Sequence, residues 1–141
     1  MPRRDAYHQI VRNALEKTGW RITNDPLALN YKGLRVFVDL AAEKPPAKGW
    51  SAERIAIEIK VFGGRSKMDD FEKAIGQYTI YREWLERKGE PHELYLAVAQ
   101  NVYDEFFQYE GVTEVIATQR VHLLIFEPTQ EVITQWIKQP V

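Results

Sequence analysis

The sequence predicts an α/β fold: a mixed β-sheet flanked by helices, in the order helix, three-strand meander, long helix, strand, short helices and one or two closing strands. Three observations carry this. Residues 5–18 place Tyr7, Ile10, Val11, Ala14, Leu15 and Thr18 on one stripe at helical spacing. In RIAIEIKVF, residues 54–62, Ile55, Ile57, Ile59 and Val61 alternate with Ala56, Glu58, Lys60 and Phe62, the pattern of a strand buried on both faces. A helical pattern from about 67 to 88 then separates that strand from a second buried one, ELYLAVAQ at 93–100.

Each element has a local reason. Gly19 stops the first helix. Residues 20–23 and 27–31 are short strands on either side of the turn Asn24-Asp25-Pro26. LRVFVDLAAE, residues 34–43, reads as one strand with Leu34, Val36, Val38 and Leu40 on one face and Arg35, Phe37, Asp39 and Ala41 on the other. KPPAKGWS, residues 44–51, is a loop, because two prolines and a glycine forbid a regular strand. Gly63-Gly64 ends the buried strand, and Ser66 three residues before Asp69 resembles a helix N-cap. Phe71, Ala74, Ile75, Tyr78 and Leu85 form the core stripe of the long helix, which Gly89 and Pro91 close. Residues 101–109 and 112–119 read as short helices, 121–126 as a strand, and 131–137 as a strand or a terminal helix, the strand being favoured.

No linker, repeat or low-complexity tract interrupts the chain, so residues 1–141 are expected to form a single domain. There is no cysteine, hence no disulfide framework or thiolate metal site, and no apolar run long enough to span a bilayer. A cytoplasmic protein with no membrane partner is the expectation. The net charge of −1 hides an asymmetry: +4 over residues 1–35, +1 over 36–89 and −6 over 90–141. Arg3, Arg4, Arg12, Lys17, Arg21, Lys32 and Arg35 could form a basic patch toward DNA, with the acidic last third facing away or meeting a basic protein.

The charged residues inside the buried strand need an explanation. An unpaired buried charge costs several kcal/mol, so Glu58 and Lys60 either form a structural ion pair or carry a site. Side chains two apart on a strand point the same way. If strands 34–43 and 54–62 pair, Asp39 meets Glu58 and Lys60 at one spot. Two carboxylates there suit a hard divalent cation such as Mg²⁺ or Mn²⁺. A lysine beside them could orient or deprotonate an attacking water, or neutralise charge developing on a phosphate. The competing reading is a purely structural ion-pair cluster.

An Asp followed by Glu-x-Lys on the next strand resembles the PD-(D/E)xK nuclease superfamily, with its restriction-endonuclease-like core of α-β-β-β-α-β order. That resemblance implies Asp39 and Glu58 as metal ligands and Lys60 as catalytic lysine. It also implies an acid on the first helix, for which Asp5 and Glu16 are candidates and His8 a less orthodox one. The family's proline before the Asp is replaced by Val38. In GQYTIY, Gln77 and Tyr81 lie four apart on one helical face, resembling the Q-x-x-x-Y pair of RecB-like nucleases, which supports the lysine or touches DNA.

A closer resemblance runs along the chain: RDAYHQIVRNALEKTGWRITNDPL, VDLAAE, IAIEIKVF, DDFEKAIGQYTIYR, LYLAVAQNVYDEFF and VITQWIK are similar, in that order, to the XisH family, the cyanobacterial fdxN-element excision controlling factors. The resemblance implies control of excision of a DNA element by site-specific recombination during heterocyst differentiation, and an XisI-like companion protein. A non-catalytic accessory factor using the same fold to bind a partner or DNA is the alternative. Nuclease folds of this size often work as symmetric pairs, so a homodimer is expected. His92 and His122 read as solvated and structural histidines, Trp50 as a loop residue that could stack on a base, and Glu43 as an exposed or outer acid.

Overall fold

Helix α1 (Arg4–Lys17) turns its apolar stripe inward: Tyr7, Val11, Ala14 and Leu15 are buried, while Thr18 is exposed just past the helix end. Fully burying side chains such as Val11 and Leu15 contributes about 1.5–3 kcal/mol each. Gly19, at φ +91°, ends the helix, and the Trp20 amide turns back to the Leu15 carbonyl at 3.1 Å. The structure is a computed structural model that describes residues 4–46 and 52–140, without the side chains of Arg4 and Asp5. The Asp5 carboxylate and Trp50 named above therefore lie outside the described residues.

Five strands follow: β1 (Arg21–Asn24), β2 (Leu27–Tyr31), β3 (Leu34–Val38), β4 (Leu40–Lys44) and β5 (Glu53–Ile59). The long helix α2 (Lys67–Lys88) has the predicted limits, with the Ser66 hydroxyl accepting the Asp69 amide at 3.1 Å and Gly89 capping the other end. Then come β6 (Glu93–Ala99), α3 (Gln100–Glu105), a 3-10 turn (Phe106–Gln108), α4 (Glu110–Thr118), β7 (Leu123–Glu127) and β8 (Val132–Ile137). The last segment is a strand, the favoured of the two readings, and not a terminal helix.

Six strands form one mixed sheet in the order β1-β4-β5-β6-β7-β8. The β1–β4, β4–β5 and β7–β8 pairs are antiparallel, whereas β5–β6 and β6–β7 are parallel. Strands β2 and β3 form a separate two-stranded hairpin. This corrects the expectation of one strand over 34–43. The chain breaks at Asp39, and its two halves join different sheets. Alternation of side chains is satisfied equally by one strand or by two consecutive ones, so periodicity could not locate the break.

The sheet has a helix on each face. The Tyr7 ring of α1 meets Phe126 edge-on at 5.6 Å. Leu124 shares the Phe126 face, and the register Leu124, Ala97, Ile59 carries that face to β5. Ile57 and Ile59 therefore face α1, and Ala56 and Glu58 face the opposite side. There α2 is docked by the Tyr78 hydroxyl, which donates to the Leu94 carbonyl at 2.9 Å and accepts the His122 amide at 3.0 Å. Both sheet edges reach α1. Arg12 pairs with Asp25, just after β1, at 2.6 Å; Lys17 reaches the Gln130 carbonyl, in the β7–β8 turn, at 2.9 Å. The sheet thus curls around α1. Among the described residues no helix is long and apolar enough to cross a membrane.

Candidate active site

The sheet reversal brings the predicted carboxylates together. Leu40 pairs with Ile57, which sets Asp39 opposite Glu58 at the C-terminal end of β5. The Lys60 amide donates to Ala97 in the parallel ladder at 3.0 Å, so the alternating Ile59 amide points the other way, toward β4. The chain leaves the sheet at Asp39, and a side chain takes over the lost pairing. The Ile59 amide donates to Asp39 Oδ2 at 2.8 Å, and the Asp39 amide donates to Glu58 Oε1 at 3.3 Å. These reciprocal bonds fix both carboxylates while burying them, Asp39 to 8% and Glu58 to 3% exposure.

Strand β5 ends at Ile59, so Lys60 stands one residue beyond the strand, its amide still bonded to Ala97, rather than in mid-strand. It is half-buried and, with Glu58, Ile59, Val61 and Gln77, lines a cleft of about 120 Å³. Gln77 projects into this cleft from α2. Tyr81, one turn on, is buried in the core. The Q-x-x-x-Y spacing thus puts Gln77 at the cleft and Tyr81 in the buried core.

The first-helix candidates stand elsewhere. His8 Nε2 lies 2.6 Å from Asp25 Oδ1, and Arg12 Nη1 donates to Asp25 Oδ2 at 2.6 Å. Glu16 is exposed and pairs with Arg12 at 3.7 Å. His8 and Glu16 are both on α1, which covers the face of Ile59 rather than that of Glu58. Asp25 itself was read only as a turn residue; an acid beside a proline gives no sign that it closes an ion-pair group across to a helix. Glu43 pairs with Arg21 and with Arg54, the latter at 3.6 Å, at the opposite end of β4.

Mg²⁺ commonly takes one or two carboxylates and keeps several waters. Asp39 and Glu58 supply hard oxygen donors at one spot, and a carboxylate that accepts one amide retains further acceptor sites. The donor set therefore fits such an ion. Among the described residues no group of three or more His, Cys, Asp or Glu could hold a metal, so these two acids and water would make up the coordination.

The remaining histidines are both partly buried, so His92 is not simply solvated as its place in a turn suggests. His122 Nδ1 accepts the Gln139 amide at 2.9 Å, and burial holds its pKa below the usual imidazole value, opposed by Glu93 and reinforced by Lys138, Arg82 and Arg120. His92 is lowered for the same reason, opposed by Glu90 and reinforced by Arg54. A larger groove of about 700 Å³, unmarked by any local pattern, lies between the start of α2 and the α3–α4 region, lined by Met68, Phe71, Phe106, Tyr109 and Val112 among others.

Comparison with known proteins bears on the whole chain. A family profile described as XisH protein matches residues 1–134. An XisH family protein from Nostoc punctiforme is 43% identical, with a TM-score of 0.86 over 95% of this chain and 100% of that one. A fdxN element excision controlling factor protein from Anabaena variabilis is 38% identical, with a TM-score of 0.86 over 96% of this chain and 100% of that one. No curated protein matches. The profile spans nearly the entire length and both structures superpose end to end, so the chain belongs to the XisH family.

Proposed function

We propose that this protein is a Mg²⁺- or Mn²⁺-dependent nuclease, or a nuclease-like DNA-processing factor, with a restriction-endonuclease-like core, acting in the control of DNA-element excision by site-specific recombination. One observation carries the reading: Asp39 and Glu58 are buried together at a strand end, and Glu58 lines one cleft with Lys60 and Gln77. The name of the Anabaena relative supports the excision role. An XisI-like companion and a symmetric pair of copies are the partners we assign, with DNA as substrate.

A bound divalent ion would polarise the scissile phosphate and lower the pKa of a coordinated water. The chain's own residues do the rest. Asp39 and Glu58 hold the ion and are held in turn by the two backbone bonds, so their positions need not reorganise during reaction. The Lys60 ammonium neutralises charge developing on the phosphate oxygens or holds the attacking water. The Gln77 amide offers a donor and an acceptor across the cleft.

The non-catalytic reading has its own support, since the Asp39–Ile59 and Asp39–Glu58 bonds give both acids a structural task. Cleavage of linear, supercoiled, single-stranded and branched DNA with Mg²⁺ and Mn²⁺, alone and with the companion protein, separates the two. Glu58→Gln and Lys60→Ala should each lower the cleavage rate by at least about a hundredfold, the scale of losing one electrostatic stabiliser. A wild-type protein as inert as both variants, with and without the companion, would leave the accessory role.

A further inference from the structure

Hairpin β2–β3 stands apart from the main sheet and has two chemically different faces. The register pairs Leu27 with Val38, Leu29 with Val36 and Tyr31 with Leu34, and this row turns toward the core except at the tip, where Leu34 is 61% exposed. Leu29 and Val38 are buried, and the Tyr31 ring lies 5.8 Å from Trp84 of α2. The other row carries Ala28, Asn30, Arg35 and Phe37. Phe37 is 51% exposed, with the Arg35 guanidinium 5.0 Å from its ring centre. Lys32 and Gly33, at φ +47° and +86°, close a tight turn at the tip. Residues 26–38 contain two cations and no carboxylate.

The hairpin is joined to the cleft twice. Phe37 precedes Asp39 by two residues, a reach of at most about 7 Å along the backbone. Helix α2 touches the hairpin through Trp84 and lines the cleft through Gln77.

We propose that the outward face of this hairpin is a platform for single-stranded DNA, with Phe37 stacked on an unpaired base and Arg35 and Lys32 on the flanking phosphates, leading the strand to Asp39, Glu58 and Lys60. This deepens the reading of the chain as a DNA-processing protein and rests on it. An exposed aromatic offers a π-face that any unpaired base can meet, whereas a duplex keeps its base faces stacked inside. Arg35 beside the ring and Lys32 at the hairpin tip, where its ammonium lies 5.4 Å from the Tyr31 ring centre, have no carboxylate between them and suit a polyanion. A second copy of the chain could also cover Phe37, but a symmetric contact would set Arg35 and Lys32 against their own images.

Fluorescence anisotropy of a labelled oligothymidine and of a duplex of equal length, without divalent cation, tests this. The wild type should favour the single strand. Phe37→Leu should weaken binding by at least about fivefold while Phe37→Trp retains it, which separates stacking from mere apolarity. Arg35→Ala should reduce the salt slope by about one phosphate contact. Hairpin-dependent binding with no cleavage in any assay would support the platform and sink the nuclease. Cleavage and binding unchanged in Phe37→Leu and Arg35→Ala would do the reverse. Failure to prefer the single strand, or a Phe37→Leu protein that passes from dimer to monomer by light scattering at unchanged DNA affinity, would overturn the platform.

Discussion

At the residue scale, Asp39 does two jobs with one side chain. It replaces the backbone partner that Ile59 loses where the chain leaves the sheet, and it lies opposite Glu58, whose carboxylate accepts the Asp39 amide. Asp39→Ala should therefore lower stability by about 1–3 kcal/mol, the cost of a buried amide without an acceptor. Asp39→Asn keeps an acceptor oxygen for the amide and should cost less. Chemical denaturation of the two variants gives the comparison, and equal losses would refute the capping role. The buried histidines make a second residue-level prediction. His122 and His92 titrate below the ordinary value of 6.5 because burial disfavours their cations. The unfolded chain thus takes up these protons before the folded one does. Stability should be fully present above about pH 6.5 and fall as pH drops through the folded-state values. The fall should shrink in His122→Gln, measured as urea midpoints at about pH 7.5 and about pH 5.5.

At the element scale, α2 is the best-marked segment of the chain, and its ends show why. The Ser66 hydroxyl accepts the Asp69 amide, and Asp69 and Asp70 sit in the first turn where the helix dipole favours negative charge. The Asp70 carboxylate also accepts the Gly64 amide at 3.0 Å, tying the loop after β5 to the helix. Ser66→Ala should cost about 1 kcal/mol. Gly76, in mid-helix, is exposed, and a methyl group there meets nothing within 4 Å. Gly76→Ala should stabilise the protein by about 0.5–1 kcal/mol without disturbing the neighbouring Gln77, as paired thermal melts and cleavage assays would show. These end signals are local, which is why both limits of α2 were legible in the sequence. The same holds for β6 and for the final strand β8. The break between β3 and β4 was not legible, because nothing local distinguishes a continuous strand from one that changes sheets at Asp39.

At the scale of the whole molecule, two long-range ties organise the layers. Tyr78 joins α2 to the entrances of both β6 and β7 through one buried hydroxyl. Tyr78→Phe would leave the His122 amide and the Leu94 carbonyl without that partner, a loss of about 1–3 kcal/mol in denaturant unfolding. On the other face, α1 receives Asp25 from one sheet edge and the β7–β8 turn from the other, so the sheet curls about it. This curl decides the place of His8. Its position on α1 made it a candidate beside Asp39, whereas the fold gives it Asp25 and Arg12 as partners.

The sequence by itself determined the helices, the two buried central strands and the kinds of residue that meet at Asp39, Glu58 and Lys60. Helical and strand periodicity, caps and breakers act over a few residues, and a buried Glu-x-Lys stands out wherever it lies. Only the tertiary structure decided that Asp39 ends one sheet and begins another, that Lys60 stands just beyond its strand, and that Gln77 enters the cleft while Tyr81 stays in the buried core. Those outcomes depend on which strand becomes whose neighbour and on which face each helix docks. Both are contacts between residues distant in the chain, and local patterning leaves them open.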